Sequence, residues 1–357
     1  MQASFFFGDD ERELNSSYYR MLLPAEVLRA AGHDIVLGSS LCSTPAGTRD
    51  IVDHIDYSLV RETVLVERVM TRERARHLRL AGAKRIVLTL DDHYAAIPPG
   101  QQSYETWIVR GFHDELLRSL PLIDQLVVAS DYLAKIYQKY CRNKVVVIKN
   151  YLDWKKWEPA YVQRQARLAA GGPLAIGWGG TKLHQPSWNV SVLPTLLREL
   201  QLRYGERIKF LFYNKVADLV LNAAGLEFES YGLQTLEGWP SCVANFDLGL
   251  IPLRGEYDAA RSHLKALEFA TLGIPWVADG LPPVEHAIGG WKVIGRWHNF
   301  TVKEERQSWE AGLSELIESD LSRECYRDYG LEWARQWRAE LCQVPYEEAL
   351  WGKSRIN

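Results

Sequence analysis

Residues 250–279, LIPLRGEYDAARSHLKALEFATLGIPWVAD, decide the reading of this chain. The apolar run over 248–253 is a buried strand. A polar loop leads from it into a helix that starts near Arg261 or Ser262 and stops at Gly273, and a second strand follows over 275–278. Strand, helix and strand in this succession form the parallel βαβ unit. A loop that feeds a helix N-terminus presents unpaired backbone N–H groups and the positive end of the helix dipole, an anion site that suits a diphosphate. Ser262, Lys265 and Glu268 are spaced by three and fall on one side of the helix, with Ser262 placed as its cap. A carboxylate one and a half turns in from a phosphate site is well placed to accept both hydroxyls of a ribose. An amphipathic helix with a solvated Lys265–Glu268 pair is the plainer alternative.

The same alternation extends in both directions. Upstream of the segment lie a strand over 174–178, a helix over 188–203, a strand over 207–213, a helix over 216–224, a strand over 226–231 and a short helix over 238–244. The first half of the chain repeats the pattern, with strands over 4–8, 34–38, 57–65, 85–90, 125–129 and 144–148. Among its helices, 18–31 carries Leu22, Leu23, Val27 and Leu28 at helical spacing and is closed by Gly32. The aromatic and charged run Trp154-Lys-Lys-Trp-Glu-Pro159, followed by Gly171-Gly-Pro173, reads as a linker with a short helix inside it, and Asn150 and Asp153 read as structural residues that fix it. The resulting division is an α/β domain over 1–155, a linker over 156–173, a second α/β domain over 174–330 and a terminal helix over 331–357 packing back on the first domain. In sheets of this kind ligands bind beyond the carboxyl ends of the strands, so the cleft between the domains is the expected site.

Bulk properties agree with two soluble domains. The 357 residues exceed the size at which one hydrophobic core keeps growing, and 47% hydrophobic with 24% charged residues is a globular composition. A formal charge of −3 offers nucleic acid or an anionic membrane no global attraction. Five scattered cysteines without Cys-x-x-Cys spacing favour a reducing compartment and argue against a zinc site. The apolar start Ser4-Phe-Phe-Phe-Gly8 breaks at once into Asp9-Asp10-Glu11, as a first strand does and a signal peptide does not. With no apolar stretch near the roughly 20 residues of a membrane span, a cytoplasmic protein is expected.

The pattern Ser262-x-x-Lys265-x-x-Glu268-Phe-Ala-x-x-Gly273-Ile-Pro275 resembles the donor-binding helix of GT-B glycosyltransferases, particularly the retaining family 4 enzymes. The resemblance implies two Rossmann-like domains with parallel sheets facing across a cleft. It further implies a nucleotide sugar, UDP- or GDP-linked, held by the second domain, and neither a metal nor another cofactor. By that resemblance Glu268 binds the ribose, with Arg261, Ser262, His263, Leu264 and Lys265 around the donor. One departure stands out: the family's Glu-x7-Glu motif puts its first acid at position 260, which here is Ala260. Either a loop shift lets Glu256 or Asp258 replace it, or this branch dispenses with it.

A second stretch, Ile176-Gly-Trp-Gly-Gly-Thr-Lys-Leu-His184, resembles the family's loop after the first strand of the donor domain. Gly179, Gly180 and Thr181 let the backbone approach a phosphate, and Lys182 is suited to neutralising the charge that grows on a departing diphosphate, with His184 beside it. A plain β–α turn would use the same residues.

On the acceptor side, Ser16-Ser17-Tyr18-Tyr19-Arg20 opens the helix after the first strand, where family enzymes bear a loop that touches the acceptor or the transferring sugar. Ser17, Tyr18 and Arg20 are candidate contacts, Arg20 as a bidentate phosphate ligand or as an ordinary helix-surface residue. Asp92 and His93 end another strand and could orient the acceptor, act as general base, bind a metal or cap the next loop. If transfer retains configuration, the leaving phosphate can deprotonate the acceptor and no base is needed. His113 starts a helix, facing the cleft or capping. The favoured function is glycosyl transfer to an acceptor that is a small molecule, a glycan or, by likeness to compact phage transferases, a modified DNA base. A non-catalytic sugar-nucleotide or glycan-binding protein of the same fold is the rival.

Overall fold

The computed structural model describes residues 1–8, 16–43, 52–295, 297 and 299–352. Asp9, Asp10 and Glu11, where the first strand is expected to break off, lie outside them. The chain forms two compact units: unit 1 comprises 1–153, 260–262 and 338–357, and unit 2 comprises 154–259 and 263–337.

Unit 1 is built on a parallel six-stranded sheet. Its strands are β1 (Gln2–Phe7), β2 (Asp34–Ser39), β3 (Thr63–Glu67), β4 (Arg85–Leu90), β5 (Gln125–Val128) and β6 (Val146–Val147), in the spatial order β2-β1-β3-β4-β5-β6. Every residue of β3 is buried, the mark of a strand covered on both faces. The chain steps outward from β1 to β2 and then returns to β3 on the other side, so the loops leaving β1 and β3 diverge and open a crevice at their carboxyl ends. The helix Gln343–Trp351 belongs to this unit. Its Tyr346 hydroxyl donates to the Arg20 carbonyl at 3.0 Å, and Arg85 donates to the Ala349 carbonyl at 2.9 Å.

Unit 2 repeats the plan with β7 (Leu174–Gly179), β8 (Ile208–Tyr213), β9 (Glu229–Tyr231), β10 (Leu248–Ile251), β11 (Trp276–Asp279) and β12 (Gly290–Val293), in the order β9-β8-β7-β10-β11-β12 and again all parallel. Its switch point lies between β7 and β10. Several strand positions are glycine because an aromatic ring covers them. A Cβ on Gly249 would lie 2.8 Å from Phe269 Cζ, and rings of Phe246 and Trp276 likewise cover Gly177 and Gly290.

The α/β architecture of two parallel sheets is the one the alternation of strands and helices implies. Differences have local causes. The strand expected over 57–65 is interrupted because the Asp56 carboxylate accepts from Ser58 N–H and folds Tyr57–Leu59 into a 3-10 turn, so β3 starts only at Thr63. The helix expected over 188–203 starts at Leu193, where Pro194 fits the first turn. The helix expected over 18–31 opens as a π-turn, Tyr18–Leu22, ahead of Pro24. Where a short helix inside a linker was expected, Trp154–Ala170 is a single 17-residue helix. Strand β12, not anticipated, is a short edge with Lys292 exposed.

Candidate functional site

In unit 2 both distinctive stretches leave the sheet at its switch point. β7 and β10 are hydrogen-bonded neighbours, so the turn after Gly179 and the loop after Ile251 flank one crevice. The glycine turn runs Gly180-Thr181 and then a 3-10 turn, Lys182–His184, with the Lys182 side chain exposed. Gly180 accepts from Asn214 Nδ2 at 2.9 Å, and a Cβ there would meet Trp178 and His184, so only glycine suits it. The His184 ring stands edge-on to Trp178 at 5.8 Å.

The helix of the opening segment is Leu264–Thr271, two or three residues shorter at its start than expected, with His263 in the cap position. Ser262 is not its cap: its hydroxyl accepts from Asn150 Nδ2 at 2.9 Å, and 260–262 cluster with unit 1. Arg261 and Leu264 are partly buried beside it. His263 is buried against Trp337, with ring centroids 4.5 Å apart, and Trp333 at 5.5 Å. Glu268 is only 3% exposed, and its carboxylate takes the Lys265 ammonium at 2.9 Å. The solvated Lys–Glu pair is thereby replaced by a buried carboxylate with a partly covered cation. That ammonium also lies 4.6 Å from the centroid of the Trp239 ring.

Position 260 has a clear local account. Ala260 is buried, and its carbonyl accepts from Ser130 Oγ at 2.8 Å. Glu256 is exposed. Asp258 is buried, takes Ser187 Oγ and accepts the Arg254 N–H at 2.8 Å. Arg254 in turn bridges Asp279, at 2.6 Å, and Glu305, while Asp279 also takes Leu253 N–H and Trp309 Nε1. The first half of the segment is thus locked by a buried network in which Asp258 has a structural task.

In unit 1 the expected acceptor residues are placed otherwise. Arg20 is fully buried; it donates to Thr89 Oγ1 at 2.9 Å, to Asn150 Oδ1 at 3.4 Å and to the Ile148 carbonyl, so it braces the core of the unit instead of meeting a ligand at the surface. Ser17 is also fully buried and donates to Glu67, and Tyr18 is buried edge-on to Tyr19 at 5.0 Å. Asp92 and His93 are partly exposed; the Asp92 carbonyl accepts from Tyr137 at 3.5 Å, and the His93 ring meets Tyr137 edge-on. His113 is half-buried 3.9 Å from Asp114, and burial lowers its pKa.

At the switch point of unit 1 the structure gathers Glu67 and Arg68, which the sequence reading passed over, with Ser17 and with Asp91 from the end of β4. Glu67, at the end of β3, accepts from Gly8 N–H at 2.9 Å and from Ser17, and Arg68 lies 3.7 Å from it. Arg68 holds a left-handed backbone, φ 59°, and reaches Asp91 at 3.3 Å, which Tyr94 also bonds at 2.9 Å. Burial, reinforced by Asp91, raises the pKa of Glu67 against the pull of Arg68. Burial would raise Asp91 too, but Arg68, Ser16 and Tyr94 hold it below the usual range. Two carboxylates whose pKa values are driven apart beside one arginine are the arrangement that acid–base sites use. The signal available in the sequence was a charged pair, Glu67-Arg68, ending an otherwise apolar strand.

Among the described residues no group of three or more His, Cys, Asp or Glu could hold a metal ion, and no helix is long and apolar enough to cross a membrane.

Two parallel sheets of this kind, wrapped by helices and each reversed at a switch point, define the GT-B fold. Solved structures agree. HepE of Anabaena, determined with UDP and glucose, matches with a TM-score of 0.64 at 12% identity over 97% of this chain and 98% of that one. A UDP-forming α,α-trehalose-phosphate synthase from Burkholderia vietnamiensis matches with a TM-score of 0.66 at 12% identity over 98% of each chain. WaaG, a glycosyltransferase involved in lipopolysaccharide biosynthesis, matches with a TM-score of 0.63 at 13% identity over 99% of this chain and 100% of that one. No family model and no curated protein matches the sequence.

Proposed function

We propose that this protein is a glycosyltransferase that moves a sugar from a nucleoside-diphosphate sugar, UDP- or GDP-linked, to a hydroxyl-bearing acceptor, with retention of configuration. The observation that carries the reading is the buried Glu268 carboxylate on a helix that opens at the switch point of the second sheet. There the backbone N–H groups of the helix start meet the diphosphate, and Glu268 receives the ribose hydroxyls. The exposed Lys182, on the glycine turn of the same crevice, stabilises the charge of the leaving diphosphate. Retention leaves deprotonation of the acceptor to that phosphate, with Asp92 and His93 as the candidate bases if the product is inverted. Two of the structural neighbours support the nucleotide, one by its bound UDP and the other by being a UDP-forming enzyme.

A second reading, a non-catalytic sugar-nucleotide or glycan-binding protein, is favoured by one observation. The first acid of the family motif is Ala260, and the nearby Asp258 is engaged by Ser187 and Arg254. Thermal-shift screening of UDP-, GDP-, ADP- and CMP-sugars on the wild type and on Glu268→Ala tests donor binding. Stabilisation of the wild type by one nucleotide class, lost in the variant, is expected; a wild type indifferent to all of them refutes the transferase and the sugar-nucleotide-binding readings and leaves glycan binding alone. Slow release of free nucleoside diphosphate from the bound donor then marks the enzyme, and tight binding without release marks the binding protein.

A further inference from the structure

The second half of the opening segment contains a relay that its sequence pattern does not suggest. Glu268 is 3% exposed, and a carboxylate so buried needs a fixed counter-charge. Lys265 supplies it at 2.9 Å. A lysine ammonium on a flexible four-carbon stem does not hold one position unaided. Here the indole of Trp239 lies beneath it, with the ring centroid at 4.6 Å, within cation–π range.

Trp239 is itself immobilised. It is 1% exposed, stands at right angles to Tyr213 with centroids 6.0 Å apart, and fills the space that Gly179 leaves open. A Cβ on Gly179 would lie 2.8 Å from Trp239 Cζ3 and nearer still to Cη2. Gly179 is the last residue of β7, where the glycine turn begins. A continuous line of contacts therefore runs from the end of the first strand through Trp239 and Lys265 to Glu268. Its two ends are the two stretches that flank the crevice.

We propose that Lys265 is a positioning residue, held by Trp239, that fixes the Glu268 carboxylate for a ribose and takes no part in binding the diphosphate. The proposal rests on the reading of Glu268 as the ribose carboxylate. It separates Lys265 from Lys182, which is exposed and serves the phosphates. It also gives the glycine at 179 a second reason to be conserved in any redesign: a side chain there displaces Trp239 and, through it, the counter-ion of Glu268.

The test compares a nucleoside diphosphate with its monophosphate, because the two share a ribose and differ in phosphate charge. Dissociation constants for UDP and UMP, and for GDP and GMP, are measured by calorimetry on the wild type, Lys265→Met, Trp239→Leu and the double variant. Lys265→Met is expected to weaken the di- and monophosphate by the same factor, about 10-fold, the equivalent of 1.4 kcal/mol. Trp239→Leu weakens both by a smaller common factor, and the double variant is no weaker than Lys265→Met alone, because Trp239 acts through Lys265. Lys265→Arg, which can both pair and stack, and Trp239→Phe, which keeps a ring, retain most of the affinity. If Lys265→Met does not fold, Lys265→Gln carries the same comparison. A loss larger for the diphosphate than for the monophosphate puts Lys265 on the phosphates and overturns the proposal, as do losses that multiply in the double variant. Loss of binding in Glu268→Ala with none in Lys265→Met refutes the relay and leaves the ribose reading standing. A wild type that binds none of the four nucleotides removes both.

Discussion

Replacing Gly249 by alanine tests whether the helix that bears Glu268 is seated by the sheet beneath it. Gly249 lies in β10, paired with Trp276 on one side and Gly177 on the other. Its missing side chain is the space occupied by the fully buried Phe269, one residue after Glu268. A Cβ at 249 would stand 2.8 Å from Phe269 Cζ and closer to Cδ2 and Cε2, whereas ordinary contact begins at 3.4 Å. The ring cannot slide aside, because Phe246 backs it edge-on at 6.2 Å and itself fills the face of Gly177. The helix must therefore lift by about 1 Å, the overpacking regime in which about 1–3 kcal/mol is lost. At roughly 2–4 °C per kcal/mol for a unit of this size, differential scanning calorimetry should record a fall in Tm of about 5 °C. Glu268 moves with its neighbour, and a carboxylate displaced by about 1 Å no longer meets the ribose hydroxyls of the proposed donor at hydrogen-bond distance. Nucleotide affinity should thus fall further than stability alone requires. Phe269→Leu in the Gly249→Ala background removes the clashing ring edge and should restore much of both. Gly232→Ala, at an open position with nothing within 4 Å, serves as the neutral control. An unchanged Tm and nucleotide affinity in Gly249→Ala, or no recovery with Phe269→Leu, would refute the argument.

Three further outcomes follow from buried charge. Arg164 is 3% exposed, its Nε and Nη1 have no hydrogen-bond partner among the described residues, and burial pushes its pKa down to about 10, a penalty on the order of 3 kcal/mol at neutral pH. Because the guanidinium is still charged at pH 7, well below that pKa, and burial penalises the charge, Arg164→Met should raise stability by about 1–3 kcal/mol in urea unfolding at pH 7, and a loss of stability would contradict it. Glu67 has its pKa raised by burial, so its ionisation weakens the fold as pH climbs from the ordinary value of 4.5 through the folded one. The stability of Glu67→Gln relative to wild type should accordingly increase over that interval, as followed by chemical denaturation from pH 4.5 to 8, whereas a flat or falling difference would show the carboxylate to be better solvated than its burial implies. Arg20→Met should lower stability by about 3 kcal/mol, because it strips Thr89, Asn150 and the Ile148 carbonyl of their donor; an unchanged Tm with lost transfer activity would instead restore Arg20 to the acceptor site.

Much of the fold was legible because parallel strands buried on both faces announce themselves as apolar runs. Arg85–Leu90 begins and ends where its sequence pattern does. At three of the places where the reading failed, a polar side chain or a proline had altered the local backbone. Asp56 turned the chain before β3, Pro194 reset the start of a helix, and Pro24 followed a widened first turn. The candidate site was legible in unit 2, where glycines, a lysine and a glutamate sit at spacings set by one turn and one helix. It was much less so in unit 1, because Glu67, Arg68 and Asp91 come from the ends of two strands and meet only when the sheet is assembled. Arg20 was misjudged for a related reason: the residues that bury it, Thr89, Ile148 and Asn150, are far away along the chain.

The absent acid at position 260 takes on a different meaning once the neighbouring contacts are known. A glutamate there would replace a fully buried alanine whose carbonyl already receives Ser130. Its carboxylate would then have to leave that packing, or be buried at a cost of several kcal/mol unless paired. Two residues earlier, Asp258 is held by Ser187 and the Arg254 N–H, and Arg254 is held by Asp279 and Glu305. The negative charge near the loop is therefore retained but drawn inward, where it sets the course of the backbone between β10 and the helix. A donor sugar at this crevice would meet backbone N–H groups and the glycine turn where the family motif offers a carboxylate. Under the proposed donor reading, discrimination among sugars would depend on the shape of the loop that Asp258 fixes, and Asp258→Asn is expected to change the order of donor preference in a thermal-shift screen of nucleotide sugars while the proposed ribose contact at Glu268 is kept.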